Sequence, residues 1–401
     1  MVKRNKKSKY KKYKKLKEKN MGKVDYKVFF TVLLLVAIGV LMVFSASAYY
    51  ALYTKGDLMF FMKKQLMWVP IGLIVMCFIM SIDYHVWKKF TVIGYIATVI
   101  ALIVVLFMPD MNGATRWLYI GPLSFQPSEL AKYILVFMLA LSIENRSKVM
   151  GKYFRGTIIS LSIAGLLAGL VLAENNLSIT AVIMFVAVIM SYVGGMNVKD
   201  LYSIVPAGLL MGFFFIITSP YRWKRIVSFM NPYKYYQEGG YQLIHSYYAL
   251  GSGGFFGQGL GNSKQKALYM PEPHNDFIFS IIGEEFGFIG CVIIIAIFIF
   301  LILCGLDVAK RAKDKYGRLL ATGITSVLAC QALINVAVVS GSMPVTGVPL
   351  PFISYGGTSL VFNLAAMGVL LNISRQCRVP ILKEKIEEEN EEEKRKFLYN
   401  S

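Results

Sequence analysis

Four stretches of this sequence interrupt an apolar pattern with residues that can bind anions or move protons. The first runs from Arg116-Trp117 through Phe125-Gln126-Pro127-Ser128-Glu129-Leu130-Ala131-Lys132. Pro127 suits the first turn of a helix, which sets Glu129 and Lys132 three apart on one face. Read plainly, the two neutralise each other; read functionally, they line a polar pocket with Arg116 as an anion contact. The second is Met270-Pro271-Glu272-Pro273-His274-Asn275-Asp276-Phe277. Asp276 either caps the helix that follows or, at the mouth of a cavity, works as a base. Continued as a helix, Asp276, Ser280 and Glu284 fall four apart in a polar stripe, and Gly283, Gly287 and Gly290 permit close helix contact. The third, Pro344 to Ser359, holds three prolines and three glycines. Such backbone survives at membrane depth only when protein or a cavity surrounds it. A shaped re-entrant loop is therefore expected, against the alternative of a plain outer turn with Ser354 near a helix start. The fourth is cationic: Arg222, Lys224 and Arg225, then Lys264 and Lys266. Attraction to outer-leaflet phosphate is one account of it, and contact with a diphosphate-bearing lipid substrate is the other.

These groups need a scaffold, and composition names it. The 401 residues are 56% hydrophobic and 16% charged, against about a quarter charged in soluble domains. Apolar blocks of roughly 18 residues or more, enough to cross a hydrocarbon core, predict spans at 27–49, 65–82, 91–108, 128–143, 157–173, 177–195, 201–219, 277–304, 319–340 and 357–373. The fold class is all-α, a polytopic membrane protein of about ten transmembrane helices. The loops 83–90, 144–156, 196–200 and 305–318 carry two, four, one and five Lys/Arg, against three, one, none and none in 50–64, 109–127, 174–176 and 341–356, which with the two tails places the N-terminus and C-terminus in the cytoplasm. Residues 1–24 form a basic arm with twelve Lys/Arg and one acid, Glu18, suited to anionic inner-leaflet lipid rather than nucleic acid. Residues 25–375 form the membrane domain, with a large outer loop at about 220–276. Within that loop Tyr241–Leu250 reads as a short interfacial helix and Gly251–Gly261 as irregular. Residues 376–401 form a charged cytoplasmic tail. The five cysteines are scattered and the three histidines far apart, so neither a disulfide framework nor a metal cluster is suggested. The first apolar block is long enough to remain as a span, with no cleavage site behind it.

The strings RWLYIGPLSFQPSELAK, GSGGFFGQGLGNSKQK, PEPHNDFIFSIIGEEFGFIG and PVTGVPLPFISYGGTSL resemble the SEDS family (shape, elongation, division and sporulation), whose members include the FtsW, RodA and SpoVE types. The likeness covers about 25–375, and the runs YRWKRIVSFMNP and GLGNSKQK resemble the FtsW/SpoVE branch more than RodA. It implies a ten-helix fold in the bacterial cytoplasmic membrane. It also implies a peptidoglycan glycosyltransferase that polymerises lipid II on the outer face for septal wall synthesis, alongside a class B penicillin-binding protein and other divisome proteins. By motif, Asp276 takes the place of the family's essential outer-loop acid. The charge of the undecaprenyl diphosphate leaving group needs cations, for which Arg116, Lys132, Arg222 and Arg225 are candidates. Trp117, Glu129, Lys264 and Ser354 complete the expected substrate contacts. A divalent cation, Mg or Mn, stays open, since no ligand cluster demands one. Many relatives carry a carboxylate where this chain has Asn176, which puts any catalytic or metal role for that loop in doubt. A lipid II flippase and a non-catalytic scaffold are the competing functions; a flippase wants polar groups near the midplane, whereas these crowd the outer half.

Overall fold

The computed structural model describes residues 22, 24–108, 116–120, 123–267 and 269–377. The basic arm expected over 1–24 lies almost entirely outside the described residues, as does the charged tail from residue 378 on. Asp25 starts the bundle: its carboxylate accepts from the Lys27 amide and opens α1 (Tyr26–Lys55), which Gly56 ends. Its 30 residues rise about 45 Å at 1.5 Å per residue. Next come α2 (Phe60–Ser81), a 3₁₀ turn at Tyr84–Val86 and α3 (Trp87–Val105). A small antiparallel hairpin, β1 (Leu118–Ile120) on β2 (Leu123–Phe125), leads to Pro127, which opens α4 (Pro127–Asn145). A π-helical turn at Tyr153–Ile158 precedes α5 (Ile159–Ala173), followed by α6 (Leu177–Val193) and α7 (Val198–Ile217). The outer segment carries α8 (Pro220–Met230) and α9 (Gly240–Gly253), and the chain closes with α10 (Ile278–Arg311), α11 (Lys315–Val339) and α12 (Gly357–Cys377).

Among the described residues eight helices are long and apolar enough to cross a membrane, with the short turns before α3 and α5 counted as part of them. The other two are α6, which has 17 residues, and α4, whose 19 are interrupted by Glu129, Lys132 and Glu144. Their crossing follows from contacts. Arg116, ahead of α4, reaches the carbonyls of Glu174 and Asn175 between α5 and α6, so α4 and α5 go out and return. Arg222, after α7, reaches the same Asn175, so α6 and α7 do likewise. Ten helices thus stand where ten were expected. At the opposite side Asp25 pairs with Arg311 at 3.0 Å and its amide donates to Ser374, which brings both ends of the bundle to one face.

α11 is central: 72% of its apolar window is buried, against α4, α6, α10 and α12. α7 is peripheral, with 6% buried, and shows Leu209, Leu210, Phe213 and Phe214 outward. Apolar exposure on this scale suits lipid and would be a liability in water. One expectation is corrected here: the irregular run begins at Gly254, because Gly251–Gly253 still belong to α9. The segment after Ser219, for which no element was expected, folds as α8 with Pro220 in its first turn. α10 is interrupted at Gly287, whose φ of 66° and ψ of −163° break the helix.

The stretch after α11 is re-entrant. Val348 and Leu350 to Ser354 are buried, and the Phe352 carbonyl oxygen and Ile353 lie against Gly39, halfway along α1. A Cβ on Gly39 would stand 2.3 Å from that oxygen. Gly39→Ala is therefore expected to cost about 1–3 kcal/mol by overpacking, read as a lower melting temperature in detergent. Gly165→Ala, on α5 with nothing within 4 Å, serves as the neutral control; equal melting of the two variants would refute this account of the loop's depth.

Candidate active site

The outer helix ends bring the four polar stretches together. Asp276 is not the cap of α10: the N-cap position is Phe277, and no side chain bonds there. Its carbonyl instead accepts from Asn335 Nδ2 at 2.7 Å, and the same nitrogen donates to the Val348 carbonyl at 2.8 Å. The base of the outer loop is thus tied to α11 and to the re-entrant loop. The Asp276 carboxylate faces Gly347. A Cβ built there would lie 3.3 Å from Asp276 Oδ2 and 3.9 Å from Arg116 Nη1, so the glycine leaves a slot about one methyl wide between carboxylate and guanidinium.

Arg116 is held by main-chain oxygens, with Nη2 at 2.6 Å from the Asn175 carbonyl and Nε at 3.4 Å from that of Glu174. Trp117 beside it is 38% exposed at the rim. From the other side Arg225 on α8 donates to the Val345 carbonyl at 3.3 Å. With Lys224, Gly239, Gln242 and Val345 it lines a cavity of about 240 Å³. Asp276 does not line that cavity; it is partly exposed and lies within electrostatic reach of both Arg116 and Arg225. Burial pushes its pKa up from the usual 3.8 to about 7; the negative charge of Glu272 adds to this, Arg116 and Arg225 oppose it, and Glu129 contributes in the same direction as burial.

The remaining expected contacts take supporting positions. Lys132 and Glu129 are both buried and paired at 2.7 Å, and the second oxygen of Glu129 accepts from Ser359 at 2.6 Å, which ties α4 to α12. Arg222 donates to the carbonyls of Phe215 and Leu172 and to Asn175 Oδ1, pinning the α7–α8 corner to the α5–α6 turn. The Ser354 hydroxyl accepts from the Leu350 amide at 2.8 Å and shapes the re-entrant loop. The Lys264 side chain is exposed, while its amide donates to Glu284 at 2.9 Å. Lys266, read from sequence as an outer cation, is instead buried: Nζ lies 2.6 Å from Glu285 and 2.9 Å from Ser45. The polar stripe on α10 divides, because Ser280 donates to its own turn and Glu284 receives the glycine-rich loop through Ser252, Ser263 and two amides.

Four residues that the sequence did not single out belong to this geometry: Asn335, Gly347, Glu272 and Glu174. Both carboxyl oxygens of Glu174 are buried without a hydrogen-bond partner among the described residues. Burial raises its pKa to about 8, against the opposing pull of Ser128 and Arg116. Two residues on, Asn176 caps α6 by accepting from the Ile179 amide. Among the described residues, the non-glycine residues with left-handed φ are Asn175 and Glu272 at this mouth and Phe352 deeper in the re-entrant loop; strained backbone of this kind clusters at functional sites. His274 is enclosed by Tyr50, Phe61 and Tyr355, and burial lowers its pKa to about 4. His245 lies elsewhere, between Tyr236 and Gln265. No group of three or more His, Cys, Asp or Glu among the described residues is arranged to hold a metal ion; Arg116 and Arg225 are the cations that act on the Asp276 carboxylate.

Residues 26–379 match the sequence family described as cell cycle protein, the FtsW, RodA and SpoVE group. The chain is 40% identical over 358 residues to the probable peptidoglycan glycosyltransferase FtsW of Geobacter sp. strain M18, covering 88% of this chain and 97% of that one. It is also 40% identical over 350 residues to the stage V sporulation protein E of Bacillus subtilis, covering 86% and 95%. Among solved structures it resembles one described as the structural coordination of polymerization and crosslinking by a peptidoglycan synthase complex, with TM-score 0.73 and 25% identity over 88% of this chain and 98% of that one. It also resembles the rod shape determining protein RodA of Thermus thermophilus, with TM-score 0.66 and 26% identity over the same shares. By its order of helices, its outer motifs and these likenesses, the chain belongs to the FtsW/RodA/SpoVE family.

Proposed function

We propose that this chain is a peptidoglycan glycosyltransferase of the cytoplasmic membrane, a multi-pass enzyme of septal wall synthesis that joins lipid II units at the outer mouth described above. The observation that carries the reading is a carboxylate whose pKa lies near 7, set opposite Gly347 with Arg116 on the far side of that glycine. An ordinary exposed aspartate is too weak a base at neutral pH, and a base works best with a pKa near the working pH. The acceptor sugar hydroxyl gives its proton to Asp276 as its oxygen bonds to the anomeric carbon of the donor. The bond from that carbon to the diphosphate breaks, and the leaving oxygen keeps the electron pair. Arg116 and Arg225, the two cations that act on this carboxylate, take up the charge of the departing diphosphate. Gly347 leaves room for a substrate hydroxyl between base and cation. A class B penicillin-binding protein and other divisome proteins are the proposed partners, in keeping with the synthase complex that one structural neighbour belongs to.

The flippase reading is less well supported. The buried charged groups Glu284 and Glu285 lie within about two turns of the outer end of α10, about 10 Å in at 1.5 Å per residue, and a two-sided pathway wants such groups at the midplane. A scaffold, in turn, would be indifferent to the carboxylate.

Asp276→Asn in the purified full-length protein is expected to keep its fold and lose at least about 10²-fold in lipid II polymerisation; wild-type polymer yield would remove the base assignment. Only the carboxylate accepts a proton, so the wild-type rate should rise with pH and reach half its limit near pH 7. Glu272→Gln removes a neighbouring negative charge and should move that limb to lower pH; a shift to higher pH, or none, contradicts the electrostatic account. Gly347→Ala, whose backbone tolerates a side chain, should lower kcat/KM about tenfold or more by filling the slot, with melting temperature little changed. Full turnover in this variant would show that the slot is not used.

A further inference from the structure

Asn335 lies in the apolar run Leu333-Ile334-Asn335-Val336-Ala337 of α11 and is 1% exposed. A leucine there would continue the helix and bury more apolar surface. The amide instead gives both of its hydrogens to main-chain oxygens from two separate loops, those of Asp276 and Val348. Its own oxygen has no partner among the described residues. A buried acceptor without a donor lowers stability, so the amide is a poor choice for holding α11 in place and a good one for holding the two carbonyls.

We propose that Asn335 is a positioning residue for the glycosyl transfer: by fixing the carbonyls of Asp276 and Val348 on one nitrogen, it sets the Asp276 carboxylate opposite Gly347 and Arg116. The inference rests on Asp276 being the base. A planar amide nitrogen directs its two hydrogens at a fixed angle, so the two loops are placed relative to each other as well as to α11. A hydroxyl has one hydrogen and could hold only one of them. A carboxylate would set a negative acceptor against two carbonyl oxygens. The loops are joined a second time where the Tyr355 amide donates to the His274 carbonyl at 2.9 Å, so 274–276 and 348–355 form one rigid body around the slot. Misplacement of a reacting group by about 1 Å is enough to lose roughly a hundredfold in rate.

The test uses the purified full-length protein in detergent or nanodiscs with lipid II. Asn335→Leu should lower kcat about ten- to a hundredfold with KM for lipid II changed by less than about threefold, since geometry rather than binding is lost. Its pH–rate limb should fall below that of the wild type, because a loosened carboxylate regains water. The groups acting on that carboxylate, Glu272, Arg116, Arg225 and Glu129, are unaltered in the variant. Amide hydrogen exchange should quicken at 276–278 and 348–350 and nowhere else in the bundle. Asn335→Gln, which keeps an amide, should recover part of the rate, and it carries the same measurements if the leucine variant does not fold. Wild-type kcat with an unshifted limb in either folded variant overturns the proposal, and so does failure of both to fold, which would make Asn335 a structural residue. If Asp276→Asn polymerises normally while Asn335→Leu still loosens the two segments, the base assignment fails and the clamp survives only as architecture; the two failures are therefore distinguishable.

Discussion

Non-helical chain below the membrane surface must find partners for its peptide groups within the protein, and the outer half of this bundle is arranged around that demand. The re-entrant stretch meets it from several sources. The Leu350 amide donates to Ser354 Oγ, the Ile353 and Ser354 amides to the Leu350 carbonyl, and the Tyr355 amide to His274. The Val348 carbonyl takes Asn335 and the Val345 carbonyl takes Arg225. These bonds anchor the loop where it reaches the depth of Gly39. The residues that form them are the ones that carry the site, so packing and chemistry share their hydrogen bonds.

The electrostatics follow from the same enclosure. Taken from water, a carboxylate loses more than two flanking arginines restore when a second acid stands beside it, and Asp276 settles near neutrality for that reason. Glu129 and Lys132, on α4, are matched one to one and closed by Ser359. Glu285 and Lys266 are matched in the same way and closed by Ser45. Buried pairs of this kind contribute little net stability, but each fixes where one element meets another. Asp276 differs in having cations near it without a dedicated partner within its own loop, which leaves it free to change protonation.

The helices were legible in the sequence because they depend on a local property, the length of apolar blocks. The glycines, prolines and charges of the four motifs announced the site for a similar reason: they are residues a plain span would not contain. What could not be read was set by distance along the chain. Lys266 is an outer cation until it meets Glu285 and Ser45, the latter 221 residues away, and nothing in its own neighbourhood reveals that partner. Ser354 looks available until Leu350 folds back on it. α8 was missed because its amphipathic pattern is short and begins directly after a span. Asn335 did leave a signal: an amide within an apolar helix has to be bonded somewhere, and its place one turn below the outer end of α11 pointed to the loops above it.

The break in α10 at Gly287 bears on how the molecule is assembled. Before the break the Glu284 and Glu285 carbonyls accept from the Gln258 and Gly259 amides, and after it the Phe288 amide donates back to the Gly254 carbonyl. The glycine run thus supplies the ladder that an uninterrupted helix would have supplied for itself. A helix can be inserted with its ladder complete, but this one reaches its final shape only after a segment made twenty residues or more earlier has docked on it. The bend in α10 and the seat of the glycine run are therefore a single feature, since neither keeps its hydrogen bonds without the other.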